Sequence, residues 1–211
     1  MRVTEIYASL QGEGTRSGRP SVLVRFTGCR LRCRYCDTAY AFRGGEEMTP
    51  ERVAETVRSF GIPLVLLTGG EPLEQPELPA LIDLLLGAAF EVVVETGGHV
   101  SVEGVDPRVI KILDCKCPGS GHDGDMYWRN LELLRDEDEV KFVVTDREDY
   151  LWAKRVVENR LAGWKGAVLF SAAHGRTTPR DLGEWILEDR LPARLQIQLH
   201  RLLWPEKTRG V

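Results

Sequence analysis

The chain has 211 residues, of which 43% are hydrophobic, 28% charged and 8% aromatic. This composition is typical of a single soluble globular domain over residues 1–211 and excludes a disordered tail protein. The longest apolar runs fall far short of the roughly 18 residues that a membrane span needs, and no apolar secretory segment opens the chain, so we expect a cytoplasmic protein with no membrane partner.

Charge and cysteine content narrow the chemistry. Residues 1–45 contain eight arginines and three acidic residues, so they carry +5 while the other 166 residues carry −9 of the total of −4. A basic segment on an acidic body favours an anionic ligand or a nucleic-acid patch. The five cysteines are an odd number, and in a cytoplasmic chain they indicate metal or redox chemistry rather than disulfides.

Short apolar runs alternate with helical patterns along the chain. The predicted strands are Val3–Leu10, Ser21–Thr27, Leu64–Thr68, Glu91–Thr96, Val109–Asp114, Val140–Thr145, Ala167–Ser171 and Leu195–Leu199. The predicted helices are 49–61, Pro76–Leu86, Asp146–Leu161 and 178–187, with a weaker helix at Tyr127–Leu134. Most of the strands are continuous apolar runs, which suits parallel strands covered on both faces. The alternation predicts an α/β fold with a mostly parallel sheet that curls into a partial barrel, whose chemistry lies at the carboxyl ends of the strands.

Three cysteines lie close together in a loop of about residues 28–45, here called the cysteine loop. Cys29, Cys33 and Cys36 have the spacing C-x3-C-x2-C, and three soft thiolate ligands on one short loop favour a metal ion or an iron–sulfur cluster. We expect the interleaved arginines at positions 30, 32 and 34 to favour the thiolate form. The alternative is a zinc site that takes Cys115, Cys117 or a histidine as its fourth ligand.

The cysteine loop, with Tyr35 just before its last cysteine, resembles that of the radical S-adenosylmethionine (SAM) superfamily. The segment Gly69–Pro72 resembles the second motif of that superfamily. The resemblance implies that the three thiolates bind three irons of a [4Fe–4S] cluster, whose fourth iron binds SAM and cleaves it to a 5′-deoxyadenosyl radical. It also implies that backbone carbonyls and Glu71 receive the amino group of SAM.

Further segments resemble one family, the 7-carboxy-7-deazaguanine synthases. They are Leu10–Gly14, Val24–Cys29, Cys36–Thr38, Leu67–Pro72, Val94–Thr96, Asp114–Gly121, Gln198–Arg201 and Trp204-Pro205. The resemblance implies a lyase of queuosine and 7-deazapurine biosynthesis, a tRNA modification pathway, that converts 6-carboxy-5,6,7,8-tetrahydropterin into 7-carboxy-7-deazaguanine with loss of ammonia. It implies regenerated SAM, assistance by Mg²⁺, an electron donor such as flavodoxin or ferredoxin, a homodimer and a truncated (β/α)6-type barrel.

The family resemblance also assigns residue roles. Cys29, Cys33 and Cys36 match the cluster ligands, and Thr38 matches the Mg²⁺ ligand. The positions that match SAM contacts are Tyr35, Cys36, Asp37, Gly70, Glu71, Glu95, Lys116, Ser171 and His174. The positions that match substrate contacts are Leu10, Gln11, Gly12, Glu13, Arg25, Thr68, His200 and Pro205. A guanidinium suits the substrate carboxylate and a glutamine suits the pterin amide edge, while His200, at the end of the last predicted strand, would be a second carboxylate partner.

Two other functions are compatible with parts of the sequence. A glycyl-radical enzyme activase shares the cysteine loop, but it needs no pterin pocket. A zinc-binding nucleic-acid module would use the basic segment, although these arginines crowd around thiols rather than alternate with exposed aromatic residues. The family resemblance favours an anionic ligand over a nucleic acid as the partner of the basic segment. On this interpretation the segment forms the rim of a cluster and pterin site and makes no direct nucleic-acid contact.

Overall fold

The computed structural model describes residues 1–207 and 209–211. Within them, the strands are β1 (Arg2–Leu10), β2 (Pro20–Phe26), β3 (Glu46–Glu47), β4 (Leu64–Gly69), β5 (Glu91–Thr96), β6 (Ile110–Asp114), β7 (Glu139–Val144), β8 (Ala167–Ala172) and β9 (Arg194–Gln196). The α-helices are α1 (Pro50–Ser59), α2 (Leu78–Gly87), α3 (Arg147–Arg160), α4 (Pro179–Asp189) and α5 (Leu199–Leu203). No helix in this part of the chain is long and apolar enough to cross a membrane.

The strands form one sheet in the order β3-β1-β2-β4-β5-β6-β7-β8-β9. All pairs from β2 to β9 are parallel, whereas β1 is antiparallel to both of its neighbours. The sheet is open, since β3 and β9 lie at its two ends. The predicted α/β class with a largely parallel, incomplete barrel is therefore confirmed.

Side-chain caps begin three of the helices where the sequence predicts them. The side chains of Thr49, Asp146 and Thr178 accept hydrogen bonds from the backbone amides three residues later, at 3.3, 2.9 and 3.1 Å. Capping of this kind satisfies an amide that has no partner within the helix. Helices α1 and α2 cover one part of the sheet, and α3 and α4 cover another part around β7 and β8.

Three features of the fold differ from the prediction. The last strand ends at Gln196, and Leu199 begins α5 instead of ending a strand, so His200 lies on a helix. The Leu199 amide donates to the Gly12 carbonyl at 3.0 Å, a contact that the sequence pattern does not reveal. The weak helix at Tyr127–Leu134 is a 3-10 helix over Trp128–Leu133, and within the described residues neither the β5–β6 nor the β6–β7 connection contains an α-helix.

The inner face of the sheet changes from apolar to polar along the strands. Residues two apart on a strand share a face. On each of four neighbouring strands, an apolar inner residue is followed two positions later by a polar one: Leu23 and Arg25, Leu66 and Thr68, Val93 and Glu95, Ile112 and Asp114. The apolar layer fills the base of the barrel, and the polar layer, together with Leu23 and Leu66, lines a cavity above it.

Candidate active site

A cavity of about 250 Å³ lies at the carboxyl ends of the parallel strands. The structure brings together around it nearly every residue that the sequence singles out: Leu10, Gln11, Gly12, Glu13, Arg25, Cys29, Cys33, Tyr35, Cys36, Asp37, Thr38, Thr68, Gly70, Glu95, Lys116, Ser171, His174 and His200. Two of those residues, Glu71 and Pro205, do not line it.

The three thiols of the cysteine loop are half-buried and line one wall of the cavity. Burial raises the pKa of the Cys29 thiol to about 11 and also raises the pKa of Cys33. The arginines do not offset this effect, because Arg30 Nε donates to Glu74 at 2.9 Å and the Arg32 guanidinium lies 4.2 Å from the centre of the Phe42 ring. The raised pKa values of Cys29 and Cys33 do not support the prediction that the arginines favour thiolates, and iron binding has to displace the protons of these two thiols.

The glycine pair Gly69-Gly70, at the end of β4, is hydrogen-bonded to the segment that leads into the cysteine loop. Gly70 N donates to Phe26 O at 2.9 Å, and Glu71 N donates to Gly28 O at 2.7 Å. A Cβ atom on Gly70 would lie only 1.7 Å from Gly28 O, so only glycine fits at this position. The contact fixes the second motif relative to the cysteine-bearing segment.

Glu71 is fully buried, and its side chain packs against the end of β5 instead of lining the cavity. Its carboxylate accepts from Thr96 Oγ1 at 2.8 Å, from Gly97 N at 2.8 Å and from Leu73 N at 3.1 Å. Burial raises the pKa of this carboxyl, although these donors oppose the shift. The expectation that Glu71 receives the amino group of SAM does not fit this geometry. The side chain instead binds Thr96, the last residue of β5, and Gly97, which follows it.

Arg25 lines the same cavity and lies in a polar cluster with Glu5, Tyr7 and Tyr40. Its Nε donates to Glu5 Oε1 at 2.8 Å and its Nη2 donates to Tyr7 Oη at 3.2 Å, while the Tyr40 hydroxyl donates to the same Glu5 oxygen at 2.8 Å. Burial disfavours the charge, but the contacts with Tyr7, Tyr40 and Glu5 outweigh it and raise the pKa of Arg25 above its ordinary value. The guanidinium stays charged, and neither contact uses Nη1.

Several polar atoms on the cavity wall are buried without a protein partner. Among the described residues they include Gln11 Oε1, Tyr35 Oη and Asp114 Oδ1. A buried polar group without a partner costs free energy, typically about 1–3 kcal/mol. Three such atoms around one cavity indicate a site built for a polar ligand, which would supply the missing hydrogen bonds.

His200 reaches the cavity from α5 and packs against the loop after β1. A Cβ atom on Gly12 would lie 2.5 Å from His200 Nδ1, so the glycine permits this close approach. Burial lowers the pKa of the imidazole, with partial opposition from Glu13 and Asp37, and His200 is therefore neutral at pH 7. Pro205 is exposed and lies outside the cavity.

Two described residues beyond Pro205 contribute to the wall, and the sequence analysis missed them. Lys207 and Val211 line the cavity, and Val211 O accepts a hydrogen bond from Tyr7 Oη at 2.8 Å. The Arg209 guanidinium lies 4.4 Å from the centre of the Tyr40 ring. No motif marks this segment, because its contacts depend on the tertiary fold.

The cavity also contains a buried lysine that the sequence analysis missed. Lys141 Nζ lies 2.7 Å from Glu13 Oε2 and 3.7 Å from Asp114 Oδ2, and it also contacts Glu95. Asp114 forms a second ion pair with Lys116 at 2.9 Å. A lysine inside the apolar β7 run Val140–Val144 was the available signal, because a buried ammonium needs carboxylate partners.

The oxygen and sulfur donors around Cys36 suit two different metal centres. Thr38 Oγ1 lies 3.7 Å from Cys36 Sγ and lines the cavity, as does the Asp37 carboxylate. Hydroxyl and carboxylate oxygens are ligands that Mg²⁺ accepts while it keeps several waters. The three thiols come from one loop and face the same cavity, which fits the donor set of an iron–sulfur cluster.

The candidate fourth ligands of a zinc site are buried in the core or already hydrogen-bonded. Cys115 and Cys117 are fully buried among core residues such as Val140 and Phe142, and burial raises the pKa of both thiols. His122 Nε2 accepts a hydrogen bond from the Arg32 amide at 2.9 Å. These positions support the cluster interpretation over the zinc alternative.

The fold and the cysteine loop define a radical SAM enzyme, and residues 23–114 match the family model described as the Radical SAM superfamily. The chain is 39% identical to the 7-carboxy-7-deazaguanine synthase of Koribacter versatilis, over 100% of both chains. It is 41% identical to that of Chlorobaculum tepidum, over 100% of this chain and 97% of the relative. The chain belongs to the 7-carboxy-7-deazaguanine synthase family.

Solved structures show the same fold. The crystal structure of QueE from Escherichia coli has a TM-score of 0.75 at 20% identity, and the match covers 92% of this chain and 93% of that one. Streptococcus suis SuiB bound to S-adenosylmethionine has a TM-score of 0.56 at 12% identity, over 82% of this chain and 47% of that one. With the family established, the chain is a radical SAM lyase of the queuosine and 7-deazapurine pathway that uses a [4Fe–4S] cluster and SAM.

Proposed function

We propose that the cavity binds SAM beside the cysteine loop and 6-carboxy-5,6,7,8-tetrahydropterin beside Arg25, and that it converts the pterin into 7-carboxy-7-deazaguanine with loss of ammonia. The observation that carries the proposal is the set of buried, unpartnered polar atoms around one cavity that a charged guanidinium and three thiols also line. A carboxylated pterin has N–H donors and acceptors for the unpartnered wall atoms and a negative charge for the Arg25 guanidinium.

At the thiol end, Cys29, Cys33 and Cys36 would hold the cluster. The bound cluster and SAM supply the 5′-deoxyadenosyl radical that abstracts a hydrogen atom from the substrate. The residues that would orient SAM are Tyr35, Asp37, Gly70, Glu95, Lys116, Ser171 and His174. The Asp114–Lys116 ion pair keeps a cation and a carboxylate on the cavity wall, where they can face the carboxylate and amino groups of SAM.

At the other end, the chain provides groups for both edges of the pterin. The Arg25 guanidinium faces a carboxylate with its charge, and the neutral His200 imidazole can add a hydrogen bond. Gln11 Oε1 can accept from a pterin amide or amine, because it has no protein partner. Glu13 can accept from further N–H donors. Thr38, which lines the cavity near Cys36, would hold Mg²⁺.

The test is turnover of the reconstituted protein with SAM, Mg²⁺, a reductant and 6-carboxytetrahydropterin, followed by detection of the deazapurine. Arg25→Gln should raise the KM for the pterin about 10- to 150-fold, because a hydrogen bond to a charged group is worth about 1.5–3 kcal/mol. Arg16→Gln is the matched control, since Arg16 is similarly buried and ion-paired but lies outside the cavity. A wild-type KM in Arg25→Gln would contradict the assignment.

We also propose an acidic flavodoxin or ferredoxin as the electron donor. The Arg30 side chain beside Cys29 is 72% exposed, and Arg43 at the end of the cysteine loop is exposed as well. These charges would attract an acidic carrier to the surface nearest the thiols. Reduction by the carrier should slow as the salt concentration rises, whereas reduction by dithionite should not. We also propose that the protein is located in the cytoplasm, because free thiols and a reducible cluster require a reducing compartment.

A homodimer is proposed from the open end of the sheet. Leu195 on β9 and Ile197, Leu202 and Leu203 around α5 are exposed by 38–69%. An open strand edge with exposed apolar side chains is a liability unless another chain covers it. Sedimentation of the wild type should show a dimer, and Leu202→Asp should shift it toward the monomer. A monomeric wild type would refute this assignment.

A further inference from the structure

We propose that Lys141 is a positioning residue that joins the pterin and SAM subsites, so that each ligand binds more tightly when the other is present. The inference rests on the proposed function, and it assigns a role to a residue that the family resemblance does not include. Lys141 lies on β7, its side chain is 6% exposed, and it lines the cavity.

The ammonium group of Lys141 connects three separate segments. It contacts Glu13 from the loop after β1, Glu95 from the end of β5 and Asp114 from the end of β6. The ammonium donates hydrogen bonds to Glu13 and Glu95, and it pairs with Asp114 by charge at 3.7 Å. Glu13 is assigned to the pterin and Glu95 to SAM, which places Lys141 between the two subsites.

The contacts continue beyond the lysine on both sides. The second oxygen of Glu13 accepts from Gln198 Nε2 at 2.7 Å. The second oxygen of Glu95 accepts from Thr68 Oγ1 at 3.2 Å. A displacement of either carboxylate therefore changes the position of the ammonium, and with it the position of the other carboxylate.

Lys141 stays protonated in this environment. Burial opposes the charge, but Glu13, Glu95 and Asp114 outweigh it and hold the pKa well above the ordinary value for lysine. Such a group is a poor proton donor or acceptor near pH 7, so its role is to hold the carboxylates. Without it, Glu13 and Glu95 would lose their cationic partner, Asp114 would keep only Lys116, and the carboxylates would repel one another.

Binding at the two subsites should therefore be coupled. The ligand that binds first restricts Glu13 or Glu95 and thereby orders the shared ammonium. The second ligand then finds its carboxylate already positioned and binds with less loss of conformational entropy. The coupling is reciprocal, and a factor of about 10 lies within the ordinary range for coupled sites.

The experiment measures dissociation constants on the anaerobically reconstituted protein, by calorimetry, for SAM with and without the pterin and for the pterin with and without SAM. In the wild type, each ligand should tighten the other about 10-fold. Lys141→Met should reduce that factor to about 1 and also weaken each ligand alone. Lys141→Arg, which keeps the charge, should retain part of the coupling.

A matched control is available on the neighbouring strand. Lys111 is 4% exposed and lies 3.0 Å from buried Asp138, but neither residue lines the cavity. Lys111→Met should lower the melting temperature and keep the wild-type coupling. If Lys141→Met does not fold, Lys141→Gln provides the same test, because a neutral amide is polar but lacks the positive charge that pairs with the carboxylates.

The outcomes are distinguishable. A folded Lys141→Met or Lys141→Gln protein with wild-type coupling overturns the role of Lys141. A wild type that binds both ligands independently also overturns it and leaves the proposed function intact. A wild type that binds SAM but no pterin overturns the proposed function and, with it, this inference.

Discussion

Substitution of Gly70 by alanine should separate the second motif from the cysteine loop. The added Cβ would lie 1.7 Å from Gly28 O and 2.3 Å from Gly28 C, both of which are backbone atoms that cannot rotate away. Because real Cβ contacts are essentially never shorter than 3.0 Å, the two segments must move apart by at least 1.3 Å. Cys29 follows Gly28 directly, so this movement displaces the first thiol.

The magnitude follows from the contacts that the displacement removes. The Glu71 N to Gly28 O bond of 2.7 Å and the Gly70 N to Phe26 O bond of 2.9 Å cross the same junction. Loss of two such bonds at about 1–3 kcal/mol each, together with strain, predicts a destabilisation of about 3–5 kcal/mol. That destabilisation is a large part of the free energy of unfolding of a typical domain, which is ~5–15 kcal/mol.

Two measurements check this prediction, and Gly87→Ala is the matched control. Gly87 lies in the last turn of α2 with no atom near its Cβ position, so alanine there should raise the free energy of unfolding by about 0.5–1 kcal/mol. Urea unfolding of the cluster-free protein gives the stability, and iron and sulfide analysis after reconstitution gives the cluster content. A Gly70→Ala protein with wild-type stability and iron content would refute the reasoning.

Three further predictions concern the cavity. Cys33→Ala should hold no complete cluster and make no product. Cys117→Ala, in the core, is the control and should keep wild-type iron content. Ordinary turnover by Cys33→Ala would refute the cluster assignment. Thr38→Ala should weaken the dependence of rate on Mg²⁺ concentration with unchanged iron content, and an identical Mg²⁺ titration would contradict its role. Burial lowers the pKa of His200, and a bound carboxylate should raise it again, so pterin affinity should increase as the pH falls through the raised pKa of the complex, by up to about tenfold per unit. Calorimetry in buffers of different ionisation enthalpy should detect the proton uptake, which His200→Asn should abolish.

Much of the sheet follows from local sequence. Buried parallel strands such as β4 and β5 have continuous apolar centres, Leu64–Leu67 and Val92–Val94, and their predicted bounds differ from the observed ones by at most one residue. The antiparallel direction of β1 is less evident, although nine residues between β1 and β2 are too few for a helical crossover. The start of α5 depends on the contact between Leu199 and Gly12, which no local pattern contains.

The site was predictable where residue type dictates chemistry. The three thiols and Arg25 are such residues, and they line the cavity. Glu71 was misplaced because its motif does not reveal which way the side chain turns, and the Thr96 hydroxyl holds it away from the cavity. Lys141 was missed because its carboxylate partners are between 27 and 128 residues away in sequence.

The β6–β7 connection lacks an α-helix and instead supports the cysteine loop. Arg34 N donates to Ser120 O at 3.1 Å, and Arg32 N donates to His122 Nε2 at 2.9 Å. The thiols emerge from the ribosome long before these partners, which follow 86 and 90 residues later in sequence. Non-local contacts of this kind form late in folding. Cluster insertion should therefore wait until more than half of the chain has been synthesised, and an N-terminal fragment that carries all three cysteines should be a poor substrate for iron–sulfur assembly.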